Sequence, residues 1–327
     1  MLGSNWIIRC AGVSVKFPSK QRRGSQTVAV HDANLTIERS QSIGIVGESG
    51  SGKSTLARVI AGLVSPIEGS VEFAAEWSTS DRRSRARRLG MVFQDPRSSL
   101  NPRWSIGSII ADPLVVNELG DRRWRHTKVR ELLADVGLPS GMEKRKARQL
   151  SGGQAQRVAI ARALASDPDV LIADEPTSAL DVSIQAQIVR LLRSIRDARD
   201  LALVLVSHDI RIVRALCHRV VVMLDGVIIE EGPVDDVYAR PRHPYTQLLL
   251  SSALVVDLKP DPAQRARRSL AAEVSMQGRL RSDDADAKSR SCPFIGRCLR
   301  ATEECMSLPS FEGQVHRVRC FHPLEDG

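Results

Sequence analysis

The chain has 327 residues and a formal charge of +9 at pH 7; 42% of its residues are hydrophobic but only 4% aromatic. That length allows two or three structural units with a substantial core. An apolar content carried mainly by Leu, Val, Ile and Ala, with sparse aromatics, suits a parallel sheet covered by helices. Its longest clean apolar runs are about six residues, far short of the ~20 that cross a bilayer. The opening Met1-Leu-Gly-Ser-Asn-Trp6 lacks a signal peptide's basic and apolar regions, so a cytoplasmic protein with no membrane span of its own is expected.

Residues from about 5 to 80 read as N-terminal strands, a glycine-rich loop and its helix. The apolar strand Ile43-Gly-Ile-Val46 runs into Gly47-Glu48-Ser49-Gly50-Ser51-Gly52-Lys53-Ser54-Thr55, which fits G-x-x-x-x-G-K-[ST]. In such a loop backbone N–H groups wrap phosphate oxygens, the lysine neutralises β/γ charge and the hydroxyl ligates Mg²⁺. Leu56, Val59, Ile60 and Leu63 then mark one face of a helix, the context the motif requires. Pro66 to Gly69 forms a turn before a strand from Ser70 to Ala74. A further strand, Leu89-Gly-Met-Val-Phe-Gln94, closes on Gln94.

From about 95 to 165 the pattern is helical. One helix covers Val129 to Val136 and stops at Gly137. Another, Gln154 to Ala165, follows Leu150-Ser151-Gly152-Gly153-Gln154 and ends before Asp167-Pro168. Residues 168 to 235 return to alternating strands and helices. Val170-Leu-Ile-Ala-Asp174-Glu175 is a buried-strand run ending in two carboxylates: one suited to Mg²⁺, the next to polarising a water for in-line attack. The helix after Asp181 carries Ile184, Ile188, Leu191, Leu192 and Ile195 on one face. His208 follows the apolar run Leu201 to Val206 and sits at a strand's carboxyl edge, where ligands gather in open α/β sheets. Cys10 and Cys217 read as small core residues.

In this order the motifs resemble those of the ATP-binding-cassette ATPases. Gly47 to Ser54 looks like the Walker A loop, Gln94 like the Q-loop, and Leu150 to Gln154 like the family signature. Asp174-Glu175 looks like Walker B, Ser178-Ala-Leu-Asp181 like the D-loop, and His208 like the switch histidine. Phe17, on the N-terminal strand, looks like the aromatic that stacks on adenine. The resemblance implies a P-loop, RecA-like α/β core with an N-terminal antiparallel β subdomain and an inserted helical subdomain at about 95–165. It also implies ATP and Mg²⁺ as ligands. ATP is held by Phe17, the whole loop Gly47–Thr55, Gln94, Ser151–Gln154, Asp181 and His208, and Mg²⁺ by Ser54, Gln94 and Asp174. Lys53, Gln94, Glu175 and His208 are the catalytic set. In the family the signature grips the γ-phosphate bound to the other subunit, which suits the unpaired N–H groups of a helix start. The one departure is Ala155, where relatives often carry a basic or polar residue.

The tail beyond Gly232 narrows the resemblance. Val237-Tyr-Ala-Arg240-Pro-Arg-His243-Pro244-Tyr245-Thr246-Gln-Leu-Leu249 and Phe93-Gln-Asp-Pro96-Arg-Ser-Ser-Leu100-Asn-Pro102 resemble segments of the oligopeptide/dipeptide importer ATPases. With Ser183-Ile-Gln-Ala-Gln187, the match favours the second of the two ATPases such importers often carry. The division expected is a cassette at 1–235 and an extension at 236–327, with a polar linker or marginal helix at about 257–290. Four cysteines follow it: Cys292, Cys298, Cys305 and Cys320, spaced C-x5-C-x6-C-x14-C. A cytosolic compartment disfavours disulfides, so shared metal ligation is a natural reason for four thiols in one segment. The family resemblance implies a 4Fe–4S cluster; zinc and unligated thiols stay as alternatives. His316 and His322, flanking Cys320, read as polar surface residues or substitute ligands.

The implied role is the motor of an importer: a second ATPase subunit (hetero- or homodimeric), two membrane-spanning permease subunits and an external substrate-binding protein. It would work at the cytoplasmic face of the membrane. Peptides are the expected cargo; nickel chelates, glutathione, antimicrobial peptides and sugars are carried by relatives with the same tail. A chromosome-maintenance ATPase is disfavoured, because no long coiled coil fits between Lys53 and Ser151. A ribosome-directed one is disfavoured by the single cassette. The basic clusters Arg82-Arg83-Ser-Arg85-Ala-Arg87-Arg88 and Arg122-Arg-Trp-Arg125 read as solvated surface, or as a face for anionic lipid or an acidic partner. No recognition helix or aromatic-interleaved strand accompanies them, so nucleic acid is not an expected partner.

Overall fold

The computed structural model describes residues 5–18, 26–78, 82–253 and 291–324. In chain order come β1 (Trp6–Pro18), β2 (Gln26–Glu38), β3 (Ser42–Val46), α1 (Lys53–Ile60), β4 (Glu68–Phe73), α2 (Ala75–Ser78), α3 (Arg82–Arg87) and β5 (Leu89–Val92). The helical insertion holds α4 (Pro96–Ser99), α5 (Ile106–Val116), α6 (Arg122–Asp135) and α7 (Gly152–Leu164). Then follow β6 (Val170–Asp174), α8 (Val182–Arg199), β7 (Ala202–Ser207), α9 (Ile210–Leu216), β8 (Arg219–Leu224), β9 (Val227–Pro233), α10 (Val234–Ala239), α11 (Pro244–Ala253) and, after the segment 254–290, β10 (Arg317–Val318).

Two sheets organise these elements. The smaller, β2-β1-β4, is antiparallel. The larger runs β10-β9-β8-β3-β7-β6-β5, with β8, β3, β7, β6 and β5 parallel and β9 and β10 antiparallel additions at one edge. Along β7 the side chains alternate between two cores. Leu203 and Leu205 join α5, α6 and α7, whereas Ala202, Val204 and Val206 join the small sheet and α1. Burial on both faces is why these strands read as unbroken apolar runs.

Local chemistry shifts several boundaries from the sequence expectation. The helix expected at Val129 begins instead at Arg122. The Asp121 side chain caps it by accepting from Trp124 N at 2.7 Å. Val129, Leu132 and Leu133 are its buried positions. The signature helix starts at Gly152, capped by Ser151. β4 begins at Glu68 because that residue already pairs with Ser14.

The basic cluster before β5 is committed within the chain. Arg88 pairs with Asp169 at 3.0 Å and lies over Trp77, Arg85 lies over Phe73, and Arg83 pairs with Glu118 at 3.1 Å. Cys10 and Cys217 are buried core residues, as expected. His316 is half-buried and paired rather than free in solvent: its Nε2 lies 2.7 Å from Oε1 of the fully buried Glu230. The expected linker at 257–290 lies outside the described residues. Among the described residues no helix is long and apolar enough to cross a membrane.

Candidate functional site

Four segments far apart in sequence end side by side because their strands are neighbours. In the order β3-β7-β6-β5, the carboxyl ends deliver the phosphate loop, His208, the Asp174-Glu175 pair and Gln94 to one rim of the large sheet. That rim is where an open parallel sheet leaves room for a ligand.

The loop wraps from Gly47 to α1, which opens with Lys53 and Ser54. Gly52 takes φ 95°, and a Cβ there would lie 2.1 Å from Ala29 O, so the turn requires glycine. Lys53 is buried and its Nζ donates to the carbonyls of Gly47 (2.9 Å) and Glu48 (2.7 Å). Burial pushes its pKa down, against Glu175, Asp174 and Glu48, which raise it. Among the described residues this buried ammonium donates to carbonyls and to no carboxylate, so its charge is left to donate to phosphate oxygens.

Ser54 Oγ donates to Asp174 Oδ1 at 2.7 Å. The other oxygen, Asp174 Oδ2, is buried without a partner among the described residues, and burial pushes the carboxyl pKa up against the Ser54 hydrogen bond and the Arg58 charge. A half-satisfied buried carboxylate beside a hydroxyl is a donor set that fits a divalent cation.

Glu175 adopts φ 44°, a left-handed conformation unusual outside glycine, and its N–H donates to Val206 O at 3.0 Å. Its side chain thereby leaves the strand for the rim. Oε2 accepts from Gln94 Nε2 at 3.1 Å and stands 3.4 Å from His208 Nδ1. His208 is itself largely exposed. Phe17, at the end of β1, is exposed with no aromatic partner of its own among the described contacts.

The signature turn is built separately. Ser151 and Gln154 form a reciprocal capping box: Ser151 Oγ accepts from Gln154 N (3.3 Å) and Ser151 N donates to Gln154 Oε1 (3.1 Å). A Cβ on Gly153 would lie 2.8 Å from the Ile184 side chain, so the turn packs directly on α8. Asp181 caps α8 with its side chain uncommitted. Ala155, the departure from the usual pattern, is buried, which accounts for a small apolar residue there. A cleft of about 660 Å³ opens between β5, α5 and α7, lined by Gln94, Arg58, Asp112, Pro113 and Arg162 among others.

The tail returns to the rim by a route no motif announced. Glu230 Oε2 accepts from His243 N at 2.8 Å, and His243 Nδ1 accepts from Tyr245 N at 3.0 Å. The buried imidazole is pushed down to about 4 by desolvation and is therefore neutral. Tyr245 Oη accepts from Glu48 N at 2.9 Å, and Arg297 pairs with the Glu48 carboxylate at 2.9 Å. Neither Tyr245 nor Arg297 was among the expected site residues; Tyr245 lies in the family-like segment Val237–Leu249, and Arg297 stands next to Cys298 of the cysteine cluster. Cys292, Cys298, Cys305 and Cys320 line one small cavity with His243 and His322. Burial pushes the Cys292 thiol up to about 12 and those of Cys298 and Cys320 in the same direction. Among the described residues no group of three or more His, Cys, Asp and Glu side chains is arranged to hold a metal ion.

Comparison with known proteins places the chain in a family. The ABC transporter family model matches residues 30–178, and that of the oligopeptide/dipeptide transporter C-terminal region matches residues 229–305. A Brucella abortus protein named "Putative peptide import ATP-binding protein" is 40% identical over 286 residues, 86% of this chain and 82% of the relative. A Brucella ovis protein of the same description is 40% identical over 306 residues, 92% of each chain. Among solved structures, the post-hydrolysis dimer of the ATP-binding cassette MJ0796 with ADP and Pi superposes with a TM-score of 0.62 at 31% identity. It covers 70% of this chain and 99% of that one. Clostridium perfringens cbiO1, part of the ABC transporter complex cbiONQ, gives 0.63 at 26% identity, covering 82% and 99%.

Proposed function

This chain belongs to the ABC transporter family as the ATP-hydrolysing subunit of a peptide importer, and we propose the following roles for its residues. The observation that carries them is the convergence of Lys53, Asp174, Glu175, Gln94 and His208 on one sheet rim. The backbone of Gly47–Thr55 and Lys53 bind the triphosphate, and Phe17 stacks on adenine. Ser54, Asp174 and Gln94 would hold Mg²⁺, which when bound would supply charge neutralisation for the transferring phosphoryl group. Glu175 orients the attacking water and accepts its proton, while Gln94 and His208 keep that carboxylate aimed at the rim. His208 also stabilises charge on the γ-phosphate.

Two cassettes sandwich two ATPs, each site pairing one subunit's loop with Ser151–Gln154 and Asp181 of the other. Support comes from the helix start at Gly152, from the Asp181 carboxylate, which makes no cap hydrogen bond, and from the dimeric state of the MJ0796 cassette. Closure pulls on permease subunits at the cytoplasmic face of the membrane through the insertion, where the cleft beside Gln94 and Pro113 offers a grip. The cassette occupies 1–235 and the extension 236–327. Uptake assays with the assembled transporter test the cargo: a di-/oligopeptide panel should be transported, and exclusive uptake of nickel chelates or sugars would overturn the peptide assignment.

We propose that the four late cysteines would be the thiols to hold a 4Fe–4S cluster, with zinc as the second choice, although the described conformation does not arrange them around a metal ion. What supports this is the donor chemistry and the shared cavity, four thiols being the usual set for either centre. A bound cation would supply the charge that lets these buried thiols ionise.

A further inference from the structure

We propose that Tyr245 and Arg297 are positioning residues of the nucleotide site, acting through Glu48 of the phosphate loop. The inference rests on the reading of Gly47–Thr55 as that site and adds two residues from outside the cassette motifs.

All three polar groups of Glu48 are engaged. Its N–H donates to Tyr245 Oη (2.9 Å), its carbonyl accepts from Lys53 Nζ (2.7 Å), and its carboxylate pairs with Arg297 Nη1 (2.9 Å). The two outer partners come from 197 and 249 residues further along the chain. Neither is free to drift. Tyr245 is 1% exposed, and its ring meets Phe294 edge-on at 5.7 Å. The Arg297 guanidinium lies over the Phe294 and Tyr245 rings at 5.1 and 5.9 Å, which orients its fork toward Glu48. Behind them the neutral His243 accepts from Tyr245 N and is itself tied to the buried Glu230.

The electrostatic consequence is specific. Glu48 is one of three carboxylates whose field reaches Lys53, so its charge stands close to where a polyanionic triphosphate must settle. Paired with Arg297, that charge is compensated; alone, it repels the ligand. The Tyr245 hydroxyl fixes the loop's second residue, so that the later N–H groups keep the curvature that wraps phosphate. The pair therefore sets nucleotide affinity more than the chemical step.

The test is MgATP titration and steady-state hydrolysis with the full-length chain in its assembled transporter. Arg297→Gln should raise KM for MgATP about 3- to 10-fold while kcat stays near wild type, the scale of one partly exposed charge-assisted contact. Arg297→Lys should recover most of the loss, and Tyr245→Phe, which keeps the ring, should weaken binding in the same direction. Glu48→Gln leaves an unpaired cation beside the loop and should lower KM. In that background Arg297→Gln should lose the larger part of its effect. A merely structural role for Arg297 predicts neither the opposite sign nor the coupling. Unchanged KM in Arg297→Gln and Tyr245→Phe, or an Arg297→Gln effect undiminished by Glu48→Gln, overturns the proposal. Should Arg297→Gln fail to fold, the sign of the Glu48→Gln effect decides alone. Lys53→Ala separates the two failures, because retained ATP affinity there would remove the nucleotide site itself.

Discussion

Ser54 Oγ donates a 2.7 Å hydrogen bond to Asp174 Oδ1, joining the start of α1 to the end of β6. The contact satisfies only half of the carboxylate, since Oδ2 is buried with no partner among the described residues. An aspartate so placed is held for a cation at a cost to the cation-free fold.

Asp174→Asn should therefore stabilise the cation-free protein while abolishing hydrolysis. Burial pushes the folded-state pKa above the ordinary value, so the folded state prefers the protonated form. The carboxyl is least costly below its ordinary pKa, and stability falls as pH rises through the higher folded pKa. At pH 7 the substitution should raise Tm by about 2–4 °C, the shift given by roughly 1 kcal/mol in a domain of this size. The gain should vanish in acid. Calorimetry with EDTA at pH 7 and near pH 4 checks it; a lower Tm at pH 7 contradicts it.

Glu175→Gln should reduce kcat by at least ~100-fold, the usual scale for a lost general base, with ATP affinity retained. The amide keeps the contacts to Gln94 and His208 but accepts no proton. With hydrolysis blocked, ATP should drive a closed dimer visible by size-exclusion chromatography. Turnover near wild type would remove Glu175 from the mechanism.

Ser151→Arg should block hydrolysis at the loop of the partner subunit while sparing ATP binding at its own Lys53. The side chain would break the capping box with Gln154 and fill the space where the signature meets its nucleotide. If the importer pairs two copies of this chain, mixing Ser151→Arg with Lys53→Ala chains should restore part of the activity, because one composite site stays intact. Full activity from Ser151→Arg alone would show that the signature is not used across the interface.

Anaerobically purified protein should be brown and carry iron and sulfide in about fourfold amounts, as a 4Fe–4S centre requires. Cys298→Ser or Cys305→Ser should bleach it and loosen the tail without removing ATP binding at Lys53. Stoichiometric zinc in place of iron would change the metal and keep the centre. Metal-free protein whose four thiols alkylate freely would leave Cys292, Cys298, Cys305 and Cys320 as ordinary residues.

Much of the cassette was readable because its chemistry is local. A glycine loop between an apolar strand and a helix, two carboxylates closing a strand, and a Ser-Gly-Gly-Gln turn each declare their backbone geometry within ten residues. Boundaries slipped where a cap outweighed periodicity, as when Asp121 started α6 before its first buried side chain. The partner of His316 was not legible, because a histidine in a polar stretch carries no sign that a buried glutamate on β9 lies within reach.

What the sequence by itself determined, then, was the phosphate loop, the paired carboxylates, the signature helix and the apolar strands, since each is specified by neighbours in the chain. Only the tertiary structure decided that β3, β7, β6 and β5 stand side by side, so that Gln94, Glu175 and His208 meet. It also brought β10 back onto β9 and set Tyr245 and Arg297 on Glu48. Those contacts span up to 249 residues and depend on burial and charge pairing at long range, which no local spacing records.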